Sequence, residues 1–156
     1  MAGVKAIVTT DIDIKLAALA QQIDDPTPIF GIINEYLLQS TRARFGPQIS
    51  PNGEKWAVLS PRYAKKKRKN KNKILTLEGD LQRYLRGKFD RTGLEFGTNS
   101  PYGAIHQFGG VFNRTSKKGK QYAFKMTARP WLGLSSEDKS VILKKTQQYL
   151  KRAISA

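Results

Sequence analysis

Tyr102-Gly-Ala-Ile-His-Gln-Phe-Gly-Gly110 and its counterpart Ala128-Arg-Pro-Trp-Leu-Gly-Leu-Ser135 decide how the rest of the chain is read. In the first stretch Tyr102, Ile105 and Phe108 recur every three residues, which predicts a tight helical turn with one apolar face. Pro101 precedes the turn, where a missing N–H costs least. Gly109-Gly110 stop it, because glycine accepts the positive φ of a helix end. In the second stretch Arg129-Pro130 requires an extended entry, Trp131 and Leu132 anchor the chain, and a helix opens at Ser135. The two stretches bracket a strand-and-turn excursion and are expected to pack against each other. Tyr102, His106, Gln107, Phe108, Arg129, Pro130 and Trp131 are read as structural. Tyr102, His106, Phe108 and Trp131 should be mostly buried, with His106 held by a hydrogen bond rather than by a ligand.

Working outward, Val4–Thr9 is short, β-branched and unbroken, and predicts a strand. Ile12, Leu16, Leu19 and Ile23 recur at helical spacing after the capping residues Asp11 and Asp13. Asp25 and Pro26 cap and open a second helix to about Phe45, with Ile29, Ile33, Tyr36 and Leu37 as its apolar stripe and Gly46-Pro47 as its stop. Residues 46–73 read as a long irregular segment, docked by Trp56 and Leu59. It ends in Lys65-Lys-Lys-Arg-Lys-Asn-Lys-Asn-Lys73, seven basic residues in nine positions with no hydrophobe. Such a run lacks the apolar surface to order itself and should be mobile when free.

Beyond it, Leu85, Phe89, Leu94 and Phe96 alternate about Asp90-Arg-Thr-Gly93, which reads as a β-hairpin with a four-residue connection. Tyr122, Phe124 and Met126 alternate with polar neighbours and predict a strand with one buried face. Ser135-Ser-Glu-Asp138 is a capping-box start for a last helix that buries Ile142, Tyr149, Leu150 and Ala153. The expected fold class is α+β, in a single domain spanning residues 1–156. It comprises a small, mainly antiparallel sheet (4–9, 84–97 and 121–126), packed with two N-terminal helices (12–24 and 27–44) and one C-terminal helix from 136, plus a long basic loop.

Composition narrows the function. The formal net charge is +16, from 28 Lys and Arg against 12 Asp and Glu, so the partner or environment is expected to be anionic. Cysteine is absent, which rules out a disulfide scaffold and cysteine-ligated zinc. No apolar run approaches the roughly 18 residues of a membrane span, and no apolar signal-peptide core follows Met1, so an intracellular, membrane-free protein is expected. His106 is the only histidine, so no multi-histidine metal site exists within one chain. No nucleophile elbow, phosphate-binding loop or dinucleotide fingerprint is present. The carboxylates Asp11, Asp13, Asp25, Glu137 and Asp138 are placed to cap helices. Neither enzymatic activity nor a cofactor is expected.

The order and spacing of "HQFGG" and "ARPWLGLS" carry more than a fold class. With Arg44-Phe45, Pro51-Asn-Gly-Glu-Lys-Trp56 and Ile74-Leu-Thr-Leu-Glu-Gly-Asp-Leu81, they resemble the virion morphogenesis (tail completion) family of Mu-like tailed phages along nearly the whole chain. Trp131 stands where that family commonly has phenylalanine. The resemblance implies a structural protein of the virion neck or tail end, made in the host cytoplasm. It would complete the tail and join it to the head as a ring of identical subunits around the DNA channel, beside other neck and tail proteins. Lys65, Lys66, Lys67, Arg68, Lys69, Lys71 and Lys73, with the second basic turn Lys117, Lys118 and Lys120, are the expected contacts to nucleic acid or to an acidic partner. Flexible ammonium groups neutralise phosphate without reading sequence. The competing reading is a stand-alone basic, sequence-nonspecific nucleic-acid-binding protein, which the charge alone would explain. A solvated surface loop is the plain alternative for the lysine run.

Overall fold

The structure is a computed structural model that describes residues 24–155. The strand expected over 4–9 lies outside that range, as does the helix expected over 12–24 apart from Asp24. Helix α1 spans Thr27–Ala43. It starts where the Asp25 carboxylate accepts the Thr27 N–H at 3.1 Å. Ile29, Ile33 and Leu37, four residues apart, are its buried stripe. The chain then tightens, with Phe45 N–H donating to the Arg42 carbonyl and Gly46 N–H to that of Ala43.

Five short elements follow. They are helix α2 (Pro61–Lys66), helix α3 (Asp80–Arg83), strand β1 (Leu85–Asp90), strand β2 (Gly93–Thr98) and helix α4 (Gly103–Phe108). Strands β3 (Gly110–Thr115) and β4 (Gln121–Met126) then lead to the 20-residue helix α5 (Ser136–Ser155). The fold is α+β with antiparallel pairing throughout the described residues, divided between two separate two-stranded sheets, β1–β2 and β3–β4. The first turn is tighter than its sequence suggests. Asp90 pairs with Gly93, so only Arg91 and Thr92 form the connection, and the Asp90 carboxylate accepts the Thr92 N–H at 2.7 Å.

Two apolar clusters make the core. Phe45, Trp56, Leu81, Leu85, Trp131 and Leu132 form one; Ile29, Ile33, Leu37 and Ile142 form the other, and Phe96 packs against both. Trp131 is 1% exposed, and Phe45 meets Trp56 edge-on with ring centroids 5.1 Å apart. Hairpin β1–β2 lies along α1, whereas β3–β4 packs on little but itself. The expected buried face of β4 is therefore absent. Tyr122 is exposed, and Phe124 and Met126 are only half-buried, since no helix of the described residues packs closely on this sheet. Along α5, Ile142 and Thr146 are buried and Tyr149 and Leu150 half-buried, but Ala153 is exposed.

A buried ion pair fastens α1 to the start of α5. Arg44 Nη1 donates to Asp138 Oδ2 at 2.7 Å, with both side chains nearly inaccessible. Arg44 Nη2 reaches Thr41 Oγ1 at 3.1 Å and the Gly133 carbonyl at 3.0 Å. Asp138 also accepts from Tyr36 at 2.9 Å, from Ser40 and from the Ser135 N–H at 2.8 Å, while its own N–H donates to Ser135 Oγ at 2.9 Å. That last exchange is the capping box read from the sequence. Burial by itself would raise the Asp138 carboxyl, but the donors from Ser40, Ser135 and Tyr36 outweigh it and hold it below the usual carboxylate range. Burial, then the bond to Asp138, pushes the Tyr36 phenol up to about 12.

Two outcomes follow for stability. Trp131→Ala should cost about 3–5 kcal/mol, read as a lower denaturation midpoint, because the closed site leaves a cavity; a change below about 1 kcal/mol would contradict a closed site. The pH dependence has a worked sign. With the folded pKa of Asp138 depressed, its contribution is complete above the unfolded value of about 3.9 and is lost as pH falls through the folded one. Asp138→Asn should flatten the acid limb of a stability-against-pH curve, and an unaltered limb would show that Asp138 does not drive it.

Candidate functional site

The two defining stretches meet in a seam made of side chains bonding backbone. Gln107 is buried, and its Oε1 accepts the N–H groups of Trp131 and Leu132, both at 2.9 Å. Its Nε2 donates to the Leu132 carbonyl at 3.0 Å. The amide thus stands in for a neighbouring strand. Trp131 Nε1 donates to the Gly103 carbonyl at 2.9 Å, and a Cβ at Gly103 would fall 2.5 Å from Thr98 Cγ2, so only glycine permits this approach. At the other end of α4, Gly109 takes φ +66°, and a Cβ there would lie 2.7 Å from backbone atoms of Met126 and Ala128.

This geometry corrects the reading of the three-residue repeat. The helix is α-type, and Gly103 and Gln107, four apart, face inward. Tyr102 and Phe108 therefore turn out to solvent, at 61% and 62% exposure, with Ile105 half-buried between. The tryptophan's demand for a close backbone and a paired amide overrides the apolar row. His106 is half-buried; its carbonyl accepts the Arg129 N–H at 2.7 Å, but its buried Nδ1 has no hydrogen-bond partner among the described residues. Burial, then the Arg129 cation, pushes its pKa below the ordinary value, so the imidazole is neutral at neutral pH.

Arg129, also buried, clamps the 57–58 loop: Nε donates to the Ala57 carbonyl at 2.6 Å and Nη2 to that of Val58 at 3.0 Å. Trp56 closes the same joint by donating Nε1 to the Pro130 carbonyl at 2.7 Å. The docking role read for Trp56 holds, while Leu59 is half-buried and Val58 lies open. An open cleft between α1, residues 47–53 and the start of α5 has Arg44 and Asp138 in its lining, already committed to each other. Among the described residues no three His, Asp or Glu side chains gather into a metal-binding group.

The lysine-rich segment is more ordered than its composition suggests. Ser60 caps α2 by accepting the Tyr63 N–H at 3.3 Å, and α2 carries Lys65 and Lys66 on its last turn. Lys67 is the exception among the expected contacts. It is 4% exposed, and its ammonium donates to the Asn70 carbonyl at 2.7 Å and to that of Lys73. The chain has curled round one of its own cations, whose pKa burial lowers. Asn70, at φ +51°, donates its side-chain amide to the Leu77 carbonyl at 3.0 Å, and Lys69 meets Glu78 at 2.8 Å. Lys67 is thereby withdrawn from any docking face, whereas Lys65, Lys66, Arg68, Lys69, Lys71 and Lys73 remain exposed around it. Lys117, Lys118 and Lys120 are exposed at the β3–β4 turn, which the sequence located correctly.

The sequence missed the internal roles of Arg44 and Lys67. Arg44 sits one turn beyond Ser40 and Thr41 on a helix end, a spacing that places all three together. Nothing distinguishes Lys67 from its neighbours before the chain is folded. Lys67→Met should leave the Lys73 carbonyl unpaired and the Asn70 carbonyl with the Lys73 N–H alone, a local cost of about 1–3 kcal/mol. Amide hydrogen exchange should quicken across residues 67–78 and stay unchanged in α1 and α5; equal exchange in both proteins would show that the ammonium does not order the segment.

No helix of the described residues is long and apolar enough to cross a membrane. Comparison with known proteins supplies the biological setting. The chain is 43% identical over 58 residues to "Mu-like prophage FluMu G protein 2" of Haemophilus influenzae, a match covering 37% of this chain and 38% of that protein. No solved structure matches. The model of the phage virion morphogenesis family, by contrast, matches residues 7–151. That match takes in α1, both hairpins, the seam and most of α5, so the chain belongs to the phage virion morphogenesis family and has a role in assembling the virion.

Proposed function

We propose that the protein is a structural part of the neck or tail end, completing the tail and joining it to the head as a ring around the DNA channel. The family match over residues 7–151 carries the assembly role, and the surface chemistry supports the finer placement. Six cations, Lys65, Lys66, Arg68, Lys69, Lys71 and Lys73, crowd the exposed surface around the buried Lys67. In a closed ring each further copy adds +16, a repulsion that an enclosed polyanion would offset. DNA in the channel is that polyanion, and these six residues are the ones assigned to face it. The side chains of the seam are occupied by backbone partners, which fits a structural part rather than a catalyst.

The net charge of +16 also favours the stand-alone nucleic-acid-binding reading. Native mass spectrometry without DNA separates the two. A closed oligomer is expected; a monomer that shifts only when DNA is added would favour the stand-alone protein. If all six cations meet phosphates, DNA affinity should fall by about 10³ between 50 and 200 mM salt and survive scrambling of the DNA sequence. Replacing the six by Ser should abolish DNA retention by the particle. If retention is unchanged while head–tail joining fails, the segment docks on protein instead.

A further inference from the structure

The β3–β4 hairpin stands apart from the core, yet it is well built. Its turn is closed by the Ser116 N–H on the Lys120 carbonyl at 2.8 Å and the Gly119 N–H on that of Ser116 at 2.9 Å. On one face Phe112 lies opposite Phe124, ring centroids 5.2 Å apart, and the Arg114 guanidinium sits 4.4 Å from the Phe124 centroid and 5.3 Å from that of Phe112. Tyr122, opposite Arg114, extends that face and is 45% exposed. The other face presents Val111, 67% exposed, opposite Lys125, and exposed Phe108 ends the helix that leads into β3. Apolar groups are thus open to water on both sides of a projecting two-stranded ribbon.

Charge and apolarity together select the occupant of this surface. Residues 110–126 hold five cations, Arg114, Lys117, Lys118, Lys120 and Lys125, and no carboxylate. A second copy, itself at +16, offers little acidic surface to this ribbon of five cations, so the contacts of the proposed ring would lie on other faces. A phosphate backbone would satisfy the lysines but gives Val111 and Phe108 nothing to bury against. A protein groove with apolar walls and an acidic rim satisfies both, and two-sided exposure fits insertion rather than lateral contact.

We infer that the β3–β4 hairpin is a finger that inserts into an acidic-rimmed apolar groove on a different virion protein. The inference rests on the assembly reading above. Its test places a photo-crosslinking amino acid at Tyr122 of the full chain, within particles assembled from the intact phage genome. Crosslinks to a different protein of acidic surface are expected. Two variants accompany it, Val111→Ser with Tyr122→Ser, and Lys117, Lys118 and Lys120→Ser. Each should lower incorporation of the chain into particles at least ten-fold, with thermal melting of the free protein unchanged, because the hairpin lies outside both core clusters. Crosslinks to DNA, to a second copy of the chain, or to nothing would overturn the finger, as would loss of incorporation with the lysine variant alone. Absence of the chain from finished particles and assembly intermediates alike would overturn the assembly reading itself, and the finger with it.

Discussion

Irregular backbone buried in a core must find hydrogen-bond partners without the help of a helix or a sheet ladder. This fold meets that constraint with long side-chain donors. Gln107 serves buried Leu132 and Trp131 serves buried Gly103, while Trp56 serves exposed Pro130, and Arg129 the exposed Ala57 and Val58, from the interior side. Arg44 does the same for Gly133 at the joint with α5. The stretch 128–135 runs as loop with Trp131 and Leu132 buried, and α4, residues 56–58, the end of α1 and the start of α5 each hydrogen-bond to it. Removing a donor such as Gln107 does more than delete a contact, because it strands the buried Leu132 carbonyl, whose desolvation is no longer offset.

The same constraint divides the cations into two populations. Arg44, Lys67 and Arg129 are buried and committed to the protein's own carbonyls or to Asp138. Lys65, Lys66, Arg68, Lys69, Lys71 and Lys73, and the hairpin lysines, face water. A buried cation bonded to neutral carbonyls keeps its charge but offers an anion almost no exposed donor, and it fixes where the exposed cations sit. Lys67 shows the link most directly. By gathering the Asn70 and Lys73 carbonyls, it turns a run that composition reads as a loose tail into a platform for its neighbours.

Much of this was legible in the sequence, for reasons that differ from element to element. Helix α1 and the opening of α5 were read from spacing and caps, which act within a turn or two of the chain. The packing of the two defining stretches on each other, and the burial of Trp131, were also legible, since an extended Arg-Pro entry leaves the indole little choice but an interior site. The outward turn of Tyr102 and Phe108 was not. It depends on Gly103 offering its carbonyl to Trp131 and on Gln107 replacing a strand, both decided across about 25 residues of separation. Lys67 was illegible for the same reason, seven nearly identical neighbours differing only in what the folded loop places around them.

The two hairpins carry the point further. Each has strands of six residues, and apolar side chains alternate in β1, β2 and β4, whereas in β3 Val111 and Phe112 are adjacent; only β4 was read as having one buried face. One lies on α1, where Leu85 is fully buried and Leu94 and Phe96 pack against the core. The other has no opposing layer among the described residues, and its own contacts are its turn and the stacking of Arg114 on Phe112 and Phe124. A period of two states that a strand has two different faces; it does not state that either is covered. An isolated two-stranded ribbon is marginal in water. The alternation in β4 thus overstates its burial, and the apolar groups it leaves open are the ones the proposed finger would bury against another molecule.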